Sequence, residues 1–320
     1  MAVVVEVVQQ PKLPEAIHRI DFDAMGTTIS AMVECLPQQG EQLAKIETLF
    51  GHWERTFSRF LPDSELTKLN LAAGNEITSS TEMIEVIQKA AMVESYTDGV
   101  VNFTMHEQIK QAGYTTDFKQ QKGWLTQQLY DPWGARRYIR EVDINEKFRT
   151  IIMPYDMHID LGGIVKGWAA QRAAEWLNKL GPALVNAGGD LYASRPQIDG
   201  APWQVAIERP YFPDEHIANF ALYHGAAATS GTWRRRWQFN GSMHHHVLDP
   251  KTGAPAQTDL SSATIISSDG VLAEAGAKTV LILGSMRGME WAEKNGMAAF
   301  IVLEDGTAQF NHAMKQHFWS

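Results

Sequence analysis

His158-Ile159-Asp160-Leu161-Gly162-Gly163-Ile164-Val165-Lys166-Gly167-Trp168-Ala169-Ala170 is the stretch from which the fold is read. Ile159 and Leu161 stand at strand spacing with Asp160 between them, which predicts the end of a buried strand. Gly162 and Gly163 permit a tight turn and a close approach of backbone to a ligand. Ile164, Val165, Trp168 and Ala169 then recur at helical spacing, through Ala173, Trp176, Leu177 and Leu180. Gly181-Pro182 stops that helix. A helix N-terminus behind glycines presents free N–H groups and a positive dipole end to an anion, and Lys166 adds a full charge. A diphosphate or nucleotide site and an ordinary strand–helix junction with a surface lysine both fit this stretch alone.

Outward from it, the chain of 320 residues is 44% hydrophobic, enough for a sizeable core. A formal net charge of −9 argues against non-specific nucleic-acid binding as the main task. Cys35 is the only cysteine, so neither an intrachain disulfide nor a Cys-rich metal site can form. The Val-rich start has no basic n-region or cleavage site, and no apolar run reaches membrane-spanning length. The expectation is a cytoplasmic protein without membrane insertion.

Before the central unit, residues 19–35 predict a hairpin turning near Met25-Gly26. Gln42 to Phe60 predicts an amphipathic helix. Ser79 with Glu82 predicts a capping box on a helix to about Thr97, closed by Asp98-Gly99. Residues 113–137 read as a long loop with one short helix, and Arg140 to Pro154 as a hairpin. After it, Ala187-Gly188-Gly189-Asp190 is a second glycine turn. Strands are predicted at 183–186, 203–207, 220–223, 226–229 and 262–267, and helices at 271–283 and 286–295. A closing hairpin spans 298–310. Strand runs mixed with helices predict α+β layers.

Three groups carry possible chemistry. Arg234, Arg235 and Arg236 lie between two tryptophans, and singly they read better as an exposed strand than as a phosphate site. His244, His245 and His246 cannot all face one ion on a strand, where neighbours alternate. One histidine held by the Leu248-Asp249-Pro250 turn is a plausible proton acceptor. Glu274 and Lys278 are four apart on a nearly apolar helix, which reads either as a surface ion pair or as a partly buried functional pair.

Taken in order, these segments resemble the FAD:protein FMN transferases, the ApbE family, long called thiamine biosynthesis lipoproteins. The segments are Ala24-Met-Gly-Thr27, Glu54 to Phe60 with Ser64-Glu-Leu66 and Leu69-Asn70, Asn102-Phe-Thr104 and Asp160 to Gly167. They continue with Asn186 to Asp190, Ala228-Thr-Ser-Gly231 and His246 to Gly253 with Pro255. The resemblance covers about residues 21–306. It implies a T-fold-related bilobal α+β architecture, with mixed or antiparallel sheets flanked by helices. Residues 1–18 would be an N-terminal extension and 19–320 one bilobal domain.

The resemblance further implies binding of FAD and, with Mg²⁺, transfer of its FMN half to a Ser or Thr hydroxyl of a target flavoprotein, releasing AMP. The alternatives are FAD hydrolysis to FMN and AMP, or FAD binding without catalysis. By position, Met25, Ser58, Arg59, Phe60, Asn102, Gly163, Lys166, Gly188, Gly189, Asp190, Ser230 and His246 would line the FAD site. His246 would activate the acceptor hydroxyl. Metal ligands would be the Gly163 carbonyl and the helix at 273–279. There the family's Asp is Glu274, and its Thr is Lys278, with Thr279 one step late. Two arrangements follow. Either Glu274 and Gly163 hold Mg²⁺ and Lys278 turns aside, or the Lys278 ammonium takes the ion's place, the arrangement favoured here. A milder departure is Asn102, where the family usually has Asp.

Overall fold

Alternation along Thr27–Cys35 buries Ile29, Ala31, Val33 and Cys35 on one face, as a half-buried strand requires. The computed structural model describes residues 16–114, 137–239 and 242–318. Its main sheet has eight strands in the order Ala16–Ala24, Thr27–Cys35, Ala183–Ala187, Asp190–Ala193, Gly225–Gly231, Leu260–Ser267, Ala298–Leu303 and Ala308–Phe310. Every neighbouring pair is antiparallel. The helices lie in long insertions between these strands, which gives the α+β class. The first strand begins at Ala16, inside the stretch expected to be an extension.

Both faces of the sheet are covered. One carries the larger core, where the helices Ala44–Phe57, Thr81–Tyr96, Val165–Leu177 and Gly270–Lys294 pack. Phe22, Phe50, Trp53, Trp168 and Phe57 meet there edge to face, with ring centroids 5.2–5.6 Å apart. The other face packs Leu191, Ala227, Phe300 and Val302 against Trp203, Ile207 and Phe220 of the Trp203–Arg209/Phe212–Leu222 hairpin.

Two sequence expectations are corrected. Residues 158–161 are irregular rather than a strand. Ile159 and Leu161 are buried, but a side chain does the work of a partner strand. Asn70 accepts the Ile159 N–H (2.8 Å) and donates to the Ile159 carbonyl (2.9 Å), and the Asp160 N–H goes to the Phe103 carbonyl (2.8 Å). The cap of the Thr81–Tyr96 helix is Ser80, not Ser79, and its hydroxyl accepts the Met83 N–H at 3.1 Å. The helix His106–Gln111 stands where the sequence pattern predicts no element, and most of the expected 113–137 loop lies outside the described residues. The two helices expected at 271–283 and 286–295 are present and meet at a kink at Gly284, whose φ of 80° is not helical.

Two turns fix the end of the sheet where the site forms. Met25 (φ 53°) and Gly26 (φ 66°) turn the first hairpin, the geometry of a primed hairpin turn. Met25 tolerates the left-handed region because its N–H is anchored on Glu54 Oε1 at 2.8 Å. Gly188 (φ 67°) and Gly189 (φ 100°) turn the second. A Cβ on Gly188 would lie 2.2 Å from Thr27 Oγ1, so the two turns touch.

Candidate active site

The helices Val165–Leu177 and Gly270–Lys294 cross with their backbones in contact at Gly167 and Gly270. A Cβ on either glycine would lie 2.3–2.4 Å from the other's carbonyl oxygen. This crossing sets Glu274, one turn along, against the start of the first helix. Its Oε2 accepts the Gly167 N–H at 2.8 Å. The helix N-terminus expected to receive a ligand anion is therefore capped in part by the chain's own carboxylate.

Around that carboxylate lies a buried ionic cluster. Glu274 Oε1 accepts from Lys278 Nζ at 2.8 Å and from Lys166 Nζ at 3.4 Å. Lys166 also donates to Asp190 Oδ2. The Glu274 side chain is fully buried, Asp190 is 3% exposed, and each lysine is 17% exposed. Two ammonium groups and two carboxylates balance. Burial alone would raise the Glu274 pKa, but Lys166 and Lys278 hold it down at about 2. Burial lowers Lys166 to about 8 against the pull of Glu274, with Lys278 and Arg235 adding to the lowering.

This cluster forms the floor of a cavity at the turn end of the sheet. Of the twelve expected FAD-site residues, Met25, Ser58, Arg59, Phe60, Asn102, Gly163, Lys166 and His246 line it. Gly188, Gly189, Asp190 and Ser230 do not. Asp190 acts through Lys166, Gly188 packs on Thr27, and Ser230 is buried in its strand. Gly163 faces Lys278, since a Cβ there would lie 3.5 Å from Lys278 Cε. Ser58 accepts the Phe60 N–H at 3.2 Å, which turns the chain after the Ala44–Phe57 helix. Asn102 Oδ1 accepts the Thr104 N–H (2.8 Å), and its amide donates to the Arg137 carbonyl (3.1 Å) and to Glu94 Oε1 (3.3 Å).

One wall is aromatic. The Arg59 guanidinium lies 4.2 Å from the Phe60 ring centre and 4.6 Å from that of Tyr114, within cation–π range. It also pairs with Asp160 at 3.1 Å and donates to the Tyr114 carbonyl at 3.0 Å. Tyr114 stacks on Trp237. Sequence reasoning missed Tyr114, which sits in no motif. Arg235, which reads from the sequence as one of three exposed-strand arginines rather than a phosphate site, lines the cavity. Arg234 pairs with exposed Glu208, and Arg236 donates to the Tyr211 hydroxyl at 3.0 Å, so those two match the surface reading.

The histidines separate as well. His244 lies beside Trp237, with ring centres 6.4 Å apart. His245 is buried, with Nε2 3.1 Å from the Ala256 carbonyl. The strand ends at His245, and His246 reaches the cavity. Burial, with the charges of Arg235, Lys278 and Lys166, holds the His246 pKa well below its usual value. A neutral imidazole among fixed cations can accept a proton but does not carry one at rest.

A model of the ApbE family matches residues 25–301. An FAD:protein FMN transferase of Haemophilus influenzae is 28% identical over 269 residues, 81% of this chain and 77% of that protein. One of Vibrio cholerae is 26% identical, covering 97% and 94%. The crystal structure of the ApbE protein from Thermotoga maritima superposes with a TM-score of 0.82 at 24% identity, covering 95% of this chain and 100% of the other. The apo flavinyl transferase ApbE of Pseudomonas stutzeri gives 0.81 at 22% identity, covering 97% and 99%. These two structures share the fold. No helix among the described residues is long and apolar enough to cross a membrane.

Proposed function

This chain belongs to the ApbE family, and from that premise we propose that it is an FAD:protein FMN transferase, moving FMN from FAD to a Ser or Thr hydroxyl of a target protein. The observation that carries the reading is one cavity holding an aromatic wall, a lysine floor and a neutral histidine. The wall at Phe60 and Tyr114 offers a platform for a flat ring system. Lys166, Lys278 and Arg235 face the cavity with charges suited to a diphosphate.

In the transfer, the acceptor hydroxyl oxygen forms a bond to the FMN-side phosphorus. The bond from that phosphorus to the bridging oxygen breaks, and AMP carries this oxygen away. His246 takes the hydroxyl proton. The lysines stabilise charge on the bridging and leaving oxygens, which is most of what phosphoryl transfer asks of a protein.

Mg²⁺, if bound, would supply charge neutralisation at the phosphates. The donor set does not fit it. Both Glu274 oxygens already accept from Lys278 and Gly167 at 2.8 Å. Repulsion between unit charges 4 Å apart is about 4 kcal/mol at an effective dielectric of 20, doubled for a divalent ion beside each ammonium. Among the described residues no group of three or more His, Cys, Asp or Glu side chains could hold a metal.

The test is incubation with FAD and peptides carrying Ser or Thr, following AMP and a fluorescent flavinyl-peptide. Equal appearance of both is expected. AMP and free FMN without the peptide adduct would mean hydrolysis instead, and no AMP at all would leave FAD binding only.

A further inference from the structure

The cavity floor carries its own cation where a phosphate-transferring site commonly recruits one from solution. We propose that the Lys278 ammonium, fixed on Glu274, does the electrostatic work of a divalent cation at the diphosphate, so that this chain binds and turns over FAD without added metal. The inference rests on the transferase reading above.

Three observations carry it. First, Glu274 is committed. Its side chain is fully buried, and its two oxygens accept from Lys278 Nζ and the Gly167 N–H, both at 2.8 Å. Second, Lys278 is aimed rather than merely paired. Its side chain passes Gly163 at ordinary contact distance, 3.5 Å from Cε to the Cβ position, and it lines the cavity while Glu274 does not. Gly163, having no side chain, leaves that path open. Third, the cluster is neutral before any ligand enters, because Asp190 balances Lys166 as Glu274 balances Lys278. A divalent ion would bring uncompensated charge to a site already held together by its own cations. An arriving diphosphate meets Lys166, Lys278 and Arg235, with the carboxylates behind the lysines.

The experiment is titration of FAD into the full chain, read by flavin fluorescence, in EDTA and in millimolar Mg²⁺. Similar dissociation constants in the two buffers are expected. Lys278→Met should weaken binding in EDTA by about 10–100-fold, the loss of one hydrogen bond to a charged group. Added Mg²⁺ should recover part of that loss in this variant and change nothing in the native chain. Lys278→Thr combined with Glu274→Asp should show the same gain of metal dependence, and circular dichroism checks that both variants fold. Should neither fold, the native chain still decides. FAD binding abolished by EDTA and restored by Mg²⁺ would overturn the inference while leaving the transferase reading standing. No FAD binding in either buffer would overturn both.

Discussion

Glu94 and Glu274 are both fully buried glutamates on helices, yet their acidities move in opposite directions. Glu94 accepts the Ile139 N–H at 3.1 Å and the Asn102 amide at 3.3 Å through one oxygen. Its other oxygen has no hydrogen-bond partner among the described residues. The nearest cation, on half-exposed Arg140, is 3.9 Å away. Burial therefore wins and raises its pKa. Glu274 is no less buried but sits between two ammonium groups, and these win instead. Burial sets the cost of a charge, and partners decide whether the charge is kept. Glu94 ties the Thr81–Tyr96 helix to the 137–141 segment behind the cavity. Glu274 holds the cations that face into it.

The largest expected effect falls on the Glu274 side, at its charged neighbourhood. His246→Ala should slow transfer by roughly 10²–10⁴-fold with FAD affinity nearly kept. His245→Ala should cost stability rather than rate, because its ring contacts the Ala256 carbonyl and not the cavity. Equal rate losses at both, measured as flavinyl-peptide formed per minute, would erase the distinction between supporting and reacting groups.

Next in size is stability. Glu274→Ala leaves the largely buried Lys278 without its carboxylate and takes one of two from Lys166, and should cost about 3 kcal/mol in urea unfolding. Glu94→Gln, which mimics the protonated form that burial favours, should stay within about 1 kcal/mol. The pH dependence should also differ in sign. Glu274 has a folded value of about 2 against an ordinary 4.5, so its contribution is complete above 4.5 and is lost as pH falls toward 2. Glu94 is raised above 4.5, so its contribution is complete below 4.5 and is lost as pH rises through its folded value. Urea midpoints of the native chain minus each variant across pH should therefore slope in opposite directions. Parallel slopes would mean the two sites are not electrostatically different.

A smaller effect is expected at Asn102, which lines the cavity and donates to Glu94. Asn102→Asp removes the amide donor to Glu94 Oε1 and to the Arg137 carbonyl and should cost about 1–3 kcal/mol. An unchanged urea midpoint would show that the Asn102–Glu94 bond contributes nothing.

Much of this is legible in the sequence, where the chemistry is local. Gly26, Gly188 and Gly189 announce their turns because few other residues accept a positive φ. Glu274 and Lys278 pair through helical spacing alone. The failures are of another kind. Ile159 and Leu161 alternate like a strand, but alternation reports burial and not the presence of a partner strand. Lys166, Asp190 and Glu274 meet across 24 and 108 positions of chain, a distance no local pattern encodes. Arg235 parts from its neighbours on an irregular segment, where strand alternation gives no guidance.

The most direct measurement compares FAD and FMN as ligands of the same full chain. If Lys166, Lys278 and Arg235 receive a diphosphate, FAD should bind at least about tenfold more tightly than FMN, and Lys166→Met should shrink that ratio. Equal affinities for the two flavins would contradict the assignment of the lysine floor to the diphosphate.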